Sequence, residues 1–139
     1  MDQLAWNPEW ETGFSDIDEQ HQRMLREFND FLDAVQKGIH RDHIKGLLEF
    51  LIDYLDTHCE EEELQMRATG YPRLVEHKAD HDQKRARART LLDASSSDPE
   101  TMLAEVLAFV VDWMENHIKV EDKLMARHLV QFARRAPGG

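Results

Sequence analysis

Two runs set the architecture of this chain: His58-Cys59-Glu60-Glu61-Glu62-Glu63-Leu64-Gln65-Met66 and, after a Gly70-Tyr71-Pro72 break, His77-Lys78-Ala79-Asp80-His81. His58 and Glu62 are four residues apart, as are His77 and His81. Side chains at this spacing lie on one face of a helix, one turn apart. Each pair alone is a weak signal, because the chain has 28 acidic residues and eight histidines. The apolar residues around the pairs strengthen the signal, because they indicate which face of each helix is buried.

The apolar face of the second predicted helix runs directly into the first pair. Asp42 can cap this helix, and Pro72 suits the first turn of a third helix that carries the second pair. The inward positions of the second helix are Ile44, Leu47, Leu48, Leu51, Ile52, Leu55, His58, Glu62 and Met66, and those of the third are Leu74, His77, His81, Ala88, Leu91 and Leu92. Both pairs are therefore predicted to point toward the core.

Two further helices complete the pattern. Ser15 and Asp18 resemble a capping box at the start of the first helix, which ends near Gly38. Asp98-Pro99 is a good start for the fourth helix. The inward positions are Ile17, His21, Met24, Leu25, Phe28, Phe31, Leu32 and Val35 in the first helix and Met102, Leu103, Val106, Phe109, Val110, Trp113 and His117 in the fourth.

The segments outside these helices are predicted as shorter elements. Residues 1–14 form an arm whose aromatic side chains cover an end of the core, and residues 95–97 form a loop. A short last helix carries Asp122, Leu124, Met125 and Leu129, and residues 134–139 form a frayed tail.

Four amphipathic helices of about twenty residues, joined by connections of roughly five, predict an all-α fold: an antiparallel up-down-up-down four-helix bundle with an N-terminal arm and a short C-terminal helix. In this topology the starts of the first and third helices meet the ends of the second and fourth. One inward-facing layer then contains His21, His58, Glu62, His77, His81 and His117. Leaving these groups unpaired in a core would cost several kcal/mol, so we expect something to coordinate them.

Asp122 is the seventh candidate ligand. It follows His117 by five residues, and on a continuous α-helix the two side chains would point about 140° apart. We therefore predict a bend or break near residues 118–121.

Seven ligands indicate two metal ions, because a structural zinc site closes at about four. Two octahedral ions have about twelve positions, of which five imidazoles fill five, two bridging carboxylates fill four and one bridging solvent oxygen fills two. About one position stays open. A single vacancy on a redox metal pair favours a small diatomic ligand, and the apolar lining leaves little room for a larger one. Nitrogen and oxygen ligands suit iron and manganese alike.

The composition argues against several classes of function. The net charge is −11, with 28 acidic residues against 17 Lys and Arg, which disfavours nucleic acid as a partner. No apolar segment approaches the roughly 20 residues that span a bilayer, and the amino terminus does not resemble a signal peptide. The single Cys59 excludes a disulfide framework and a thiolate metal site. We expect a soluble, cytoplasmic monomer.

The residues resemble the hemerythrin family over nearly the whole chain. The resemblance rests on Trp6 with Trp10-Glu11-Thr12-Gly13-Phe14, on Ile17-Asp18-Glu19-Gln20-His21, on His58 with Glu62-Glu63 and Met66, on Tyr71-Pro72 with His77 and His81, and on Trp113 with His117-Ile118 and Asp122-Lys123. Residues 1–139 are accordingly expected to form a single hemerythrin-like domain with an arm at 1–14, a bundle at about 15–118 and a C-terminal segment at about 119–139. Cys59 departs from the family, whose members often carry an aromatic residue there.

The resemblance implies a non-haem di-iron centre with a bridging oxo or hydroxo group, which binds dioxygen reversibly as a hydroperoxide. It implies that His77, His81 and His117 hold one iron, while His21 and His58 hold the other, which has the open position. Glu62 and Asp122 would bridge the two. The implied function is storage, delivery or buffering of dioxygen rather than enzymatic turnover, and any oxygen-consuming partner protein is unknown.

Two alternatives stay open: a di-iron enzyme acting on peroxide or nitric oxide, and a module that senses oxygen or iron. Five neutral imidazoles against two carboxylates favour the oxygen binder, because oxygen-activating bundles are typically carboxylate-rich. The other histidines (His40, His43 and His128) and the acidic residues Glu60, Glu61 and Glu63 are predicted to be solvated. Tyr54 and Trp113 are predicted to pack in the core, and Trp113 also to wall the ligand pocket.

Overall fold

The computed structural model describes residues 4–38, 41–94 and 98–135 of the chain. In these ranges, five α-helices follow a short 3₁₀ turn at Pro8–Trp10. They are α1 (Ser15–Gln36), α2 (Arg41–Ala68), α3 (Leu74–Asp93), α4 (Pro99–Asp112) and α5 (Lys123–Arg135), and a π-helical segment, Trp113–Asp122, joins α4 to α5. Over the described ranges all regular secondary structure is helical.

Helices α1 to α4 form the antiparallel bundle that the sequence predicts. Helix α2 packs against α1, α3 and α4, and apolar side chains of all four helices meet in one main core. Within it, Phe28, Leu48 and Val106 have no exposed surface. Burial of apolar surface is the dominant favourable term in folding, so the helical period of these residues is enough to specify the bundle.

The start of α1 differs from the prediction. Phe14, not Ser15, occupies the N-cap position, so the predicted capping box is wrong. Asp18 instead turns back to the arm and accepts hydrogen bonds from the backbone amides of Thr12 (2.7 Å) and Gly13 (3.2 Å). Gly13 has a φ of 88°, a left-handed conformation that favours glycine. These contacts fix the direction in which the arm enters the bundle.

The other helix starts follow the sequence signals in part. Helix α2 begins one residue before Asp42, which therefore lies in the first turn and not at the cap. Helix α3 begins two residues after Pro72, so this proline lies in the preceding turn rather than in the helix. Helix α4 begins as predicted, with the Asp98 carboxylate accepting a hydrogen bond from the Thr101 amide.

The predicted bend or break at residues 118–121 is wrong. The chain stays helical there, but over the π-helical segment the backbone hydrogen bonds connect residues five apart instead of four. Residues five apart therefore come onto nearly the same face. His117 and Asp122 both lie inside the bundle with no exposed surface. A wider helical turn thus places both side chains without interrupting the helix.

The arm lies against α1 and the π-helical segment. The Leu4 amide donates to the Asn29 side chain at 2.9 Å, and the Asn29 amide group donates back to the Leu4 carbonyl at 2.8 Å. The Trp10 indole NH donates to Glu115 at 3.3 Å. Trp10 is buried in the main core, and Trp6 is partly buried against it. The aromatic residues of the arm thus extend the apolar core.

A second, smaller apolar cluster lies at the end of the bundle where the histidines are. Its buried members are Ile17, Met66, Tyr71, Met125 and Leu129, the last two from the predicted short helix, which is α5. Residues 134 and 135 are the end of α5 and not part of a frayed tail. The predicted loop at 95–97 and the tail residues 136–139 lie outside the described residues.

Candidate metal centre

All seven predicted ligand residues lie together in one buried layer. Five of them have no exposed surface, Glu62 is 2% exposed and His58 is 3% exposed. The helices contribute them as follows: His21 from α1, His58 and Glu62 from α2, His77 and His81 from α3, and His117 and Asp122 from the π-helical segment. We call this set the ligand layer.

The ligand atoms form two groups that share the same two carboxylates. Within each group, one ligand atom from every residue lies within 4.8 Å of the others. One group is Glu62, His77, His81, His117 and Asp122, and the other is His21, His58, Glu62 and Asp122. Adjacent sites with shared carboxylates in the core of a helical bundle are typical of dinuclear metal centres.

Hydrogen bonds to residues outside the layer fix the protonation of three histidines. In each pair an imidazole Nδ1 faces a side-chain oxygen: His81 faces Glu63 at 2.8 Å, His117 faces Asp80 at 2.5 Å, and His58 faces Gln20 at 2.9 Å. A carboxylate or amide oxygen accepts hydrogen bonds, so Nδ1 is the nitrogen that carries the proton and donates it. The Nε2 lone pair of each of these imidazoles is therefore directed into the ligand layer.

The resulting contacts fit a cation better than they fit the protein atoms alone. His81 Nε2 and His117 Nε2 are only 3.0 Å apart, and both present lone pairs. Both oxygens of Asp122 are buried without a hydrogen bond, although Nε2 atoms of His21 and His77 lie 3.1 Å away. Converging lone pairs at these distances repel one another unless positive charge, carried by protons or by a metal ion, lies between them. The donor set is therefore suited to metal ions.

The protonation of these groups leads to the same conclusion. Burial opposes the charge of His77, but its contacts with Asp122 and Glu62 outweigh burial and raise the pKa of this imidazole to about 9. Burial likewise opposes ionisation of Glu62, yet His58 and the neighbouring imidazoles hold the pKa of this carboxyl well below its usual range. The layer thus stabilises positive charge, and metal ions would replace the protons.

Two aromatic side chains wall the layer. The Tyr54 ring stacks on His58 with centroids 5.0 Å apart, and Trp113 stacks on His117 at 4.1 Å. Both rings also contact the main core, as predicted. Burial and the charge of Glu62 raise the pKa of the Tyr54 hydroxyl well above its ordinary value, so this group stays protonated.

Cys59 is part of the main core and has no exposed surface. Burial, assisted by the nearby charge of Glu62, raises the pKa of its thiol. A protonated, buried thiol is a poor nucleophile and packs as a small apolar group. Cys59 therefore has a packing role in this chain.

The roles of the residues that orient the histidines were not predicted from the sequence. Glu63, predicted to be solvated, is 6% exposed, and its carboxylate accepts hydrogen bonds from His81 and from Arg85 at 3.0 Å. Gln20, Glu63 and Asp80 each adjoin a ligand residue in sequence. All three share the signal of a polar residue next to a predicted ligand, but Gln22 and Glu61 share it too.

The two other histidines that the structure describes do not belong to the ligand layer. His43 is exposed in the first turn of α2, as predicted. His128 is not a solvated side chain as predicted, because it is partly buried, donates a hydrogen bond to the Thr69 carbonyl at 3.0 Å and contacts the Tyr71 ring. His40 lies outside the described residues.

Comparison with known proteins connects this geometry to a family. Residues 12–129 match the hemerythrin HHE cation binding domain. The chain belongs to the hemerythrin family. The bacteriohemerythrin of Methylococcus capsulatus is 31% identical over 122 residues, which cover 87% of this chain and 92% of that protein. The chain is also similar to the bacteriohemerythrin of Stenotrophomonas maltophilia, with 30% identity over 98% of this chain and 90% of that protein. The bacteriohemerythrin of Clostridium acetobutylicum is 25% identical over 86% of this chain and 96% of that protein.

Membership of the hemerythrin family identifies the metal. The HHE domain binds a non-haem di-iron centre, and the buried His/Glu/Asp cluster of this chain is suited to that cofactor. The chain is thus a non-haem di-iron protein of a family that typically binds oxygen. In the part of the chain that the structure describes, no helix has both the length and the apolarity to cross a membrane.

Proposed function

We propose that this hemerythrin-family protein binds dioxygen reversibly and serves as an oxygen store, carrier or buffer. One observation supports the proposal most directly. Five histidines are divided three to two between two sites that share Glu62 and Asp122.

The unequal division leaves one ion with fewer protein ligands than the other. In the proposed assignment, His77, His81 and His117 would hold the first iron, His21 and His58 would hold the second, and both carboxylates would be shared. With one shared solvent oxygen, the first iron would have six ligands and the second five. The second iron is therefore the position at which dioxygen would bind.

The protein environment favours reversible binding over substrate oxidation. The di-iron pair, when bound, supplies the electrons that dioxygen binding requires. Five neutral imidazoles and two carboxylates place less negative charge on the irons than a carboxylate-rich site does, so high oxidation states are less stabilised. Trp113 and Leu55, each fully buried one turn before a ligand histidine, cover the layer on the side of the main core.

A second candidate function is a di-iron enzyme acting on peroxide or nitric oxide. A groove of about 480 Å³ between α1 and α2 has His58 and Tyr54 among its lining residues. Substrates could approach the second iron through this groove. Sustained consumption of nitric oxide or peroxide with an added reductant would favour the enzyme, and its absence would favour the oxygen binder.

An oxygen titration tests the leading proposal. Anaerobic protein loaded with ferrous iron is titrated with dioxygen and then flushed with argon, while visible absorption is followed and iron is quantified on the same sample. We expect two irons per chain and an absorption band that appears with oxygen and disappears on flushing. The Glu62→Ala variant, which lacks a shared ligand, serves as the blank. A band that decays irreversibly would contradict the proposal.

The proposal includes a monomer that forms one hemerythrin-like domain and acts in the cytoplasm. It is supported by the match over residues 12–129 and by the strongly charged outer positions of the helices. Sedimentation equilibrium of the iron-loaded protein should give the mass of one chain, 16.3 kDa plus iron. A mass of twice this value would show a dimer.

A further inference from the structure

The ligand histidines differ in the group that accepts their Nδ1 proton. His81 and His117, from the larger group of ligands, donate to the carboxylates of Glu63 and Asp80. His58, from the smaller group, donates to the neutral amide oxygen of Gln20. The Nδ1 atoms of the two remaining ligand histidines are buried without a hydrogen-bond partner. A charged acceptor is therefore present only on the side of the larger group.

The charge of the acceptor affects the metal through the imidazole. A carboxylate forms a stronger hydrogen bond than an amide and raises the basicity of the ligating nitrogen. Arg85 lies 3.0 Å from the Glu63 carboxylate, and Lys84 lies 3.8 Å from Asp80. These cations reduce the negative charge but also hold both carboxylates in place. Two of the three imidazoles of the larger group, His81 and His117, are thus more basic and more rigidly oriented than His58.

The two groups of ligand residues also differ in their access from solvent, and the smaller group is the more accessible. His58 retains 3% of its exposure, whereas the other four ligand histidines have none. The groove between α1 and α2 reaches His58 and is also lined by Gln20 and Tyr54. Glu27, Asp53 and Glu61 line the same groove together with Arg23, so acidic side chains outnumber the basic one and favour a cation. The ion of the smaller group is the one with a path to solvent.

We propose that Gln20 is a positioning residue that makes the iron at His21 and His58 the weaker-held and more readily exchanged ion of the pair. The proposal rests on the assignment of two irons given under the proposed function, and it deepens that assignment. It predicts that the irons leave the protein in sequence, the two-histidine iron first.

Stepwise iron release tests the proposal. Ferrous-loaded protein is mixed anaerobically with excess ferrozine, and release is followed by absorbance. We expect two phases of one iron each in the original protein. In Gln20→Glu the fast phase should slow by about 10-fold while the slow phase stays unchanged, since changes in partners of ligand histidines alter metal affinity by about 10- to 100-fold. In Gln20→Ala, which removes the acceptor, the fast phase should become faster by a similar factor.

Two further variants identify the phases. Gln22→Glu makes the same change of charge on α1 but on a face roughly 200° away, so it should alter neither phase. His21→Ala removes a ligand of the two-histidine iron, so it should load one iron that leaves slowly. The two one-electron midpoint potentials, measured on the same samples, should differ in the original protein, and Gln20→Glu should lower only one of them.

The outcomes separate this inference from the proposed function. Release of both irons in one phase, or equal effects of Gln20→Glu and Gln22→Glu, would overturn the role of Gln20 even if oxygen binding is reversible. Two phases that respond as expected support it even if oxygenation is irreversible, in which case only the carrier function fails. A protein that takes up no iron would overturn both.

Discussion

The main core and the ligand layer are equally buried but are stabilised in opposite ways. Phe28, Leu48 and Val106 in the core have no exposed surface, and neither have His77 and Asp122 in the layer. Removing the core side chains from water is favourable by about 25 cal/mol per Å² of apolar area. Burying imidazoles and carboxylates is unfavourable unless each finds a partner. The core can therefore stabilise the bundle without a cofactor, whereas the layer depends on cations.

The largest expected effect comes from removing a shared ligand of the layer. Glu62 belongs to both groups of ligand atoms, so Glu62→Ala should reduce the iron content from two per chain to less than one while the helices remain. Iron quantified after gel filtration, with circular dichroism for helix content, measures this. Glu60→Ala removes an exposed carboxylate two residues away and should retain both irons. Full iron content in Glu62→Ala would show that the layer is not the metal site.

The core should respond in the opposite way. Leu48 is fully buried ten residues before His58, about 15 Å along α2. Leu48→Ala should lower the free energy of unfolding by about 3 kcal/mol through lost burial and a cavity. Urea unfolding of the iron-free protein measures the loss. The folded variant should still bind two irons, and a parallel loss of iron would show that core and layer are not independent.

A smaller effect is expected where a residue of the bundle orients a ligand. Asp80→Asn replaces the charged acceptor of the His117 proton by a neutral one. The affinity for one of the two irons should fall by about 10- to 100-fold, as measured by competition with a chelator. Asp93→Asn, at the exposed end of the same helix, provides the matched change of charge. Equal iron affinities in the two variants would show that Asp80 does not strengthen iron binding through His117.

The smallest effect concerns protons. The raised pKa of His77, about 9, means that this imidazole carries a proton at pH 7.5 in iron-free protein. Iron requires the neutral imidazole, so iron uptake should release protons and the affinity should increase as pH rises from about 6.5 toward 9. Calorimetry in buffers of different ionisation enthalpy measures the release. His43→Asn should leave it unchanged, and uptake without proton release would contradict the pKa of His77.

The bundle and the positions of the ligand residues follow from helical period, which the sequence shows directly. Leu55 and His58 belong to one stripe, so burial of the first predicts the inward direction of the second. The orienting residues Gln20, Glu63 and Asp80 could not be assigned in the same way. Each acts on a histidine of a different helix, and the period of one helix does not give the distance to its neighbour.

The π-helical segment could not be predicted for a related reason. Its sequence, Trp113-Met114-Glu115-Asn116-His117-Ile118-Lys119-Val120-Glu121-Asp122, has neither proline nor glycine to mark an irregular turn. The wider turn brings two residues five apart to the same tertiary site. Local helix propensity does not depend on such a tertiary requirement. The sequence therefore indicated only that His117 and Asp122 could not both face inward on a regular α-helix, and the structure shows that a wider turn allows it.

This wider turn also changes the phase of the chain that follows it. Up to His117 the buried positions recur in steps of three and four, as in Val106, Val110 and Trp113. The next buried polar position is five residues on, at Asp122, after which the steps of three and four resume. Downstream of the turn, the positions that face the interior are thus shifted by one residue relative to those of an unbroken α-helix.

The change of phase explains an otherwise puzzling distribution of exposed apolar residues. Val120 and Leu124, three and seven residues after His117, would face the interior in the original phase, yet they are 47% and 36% exposed. Met125 and Leu129 take the interior positions instead. A single extra residue in one turn therefore rotates the buried face of the helix that follows. The rotation places the Asp122 carboxylate in the interior, and it determines which apolar side chains of α5 pack at the end of the bundle.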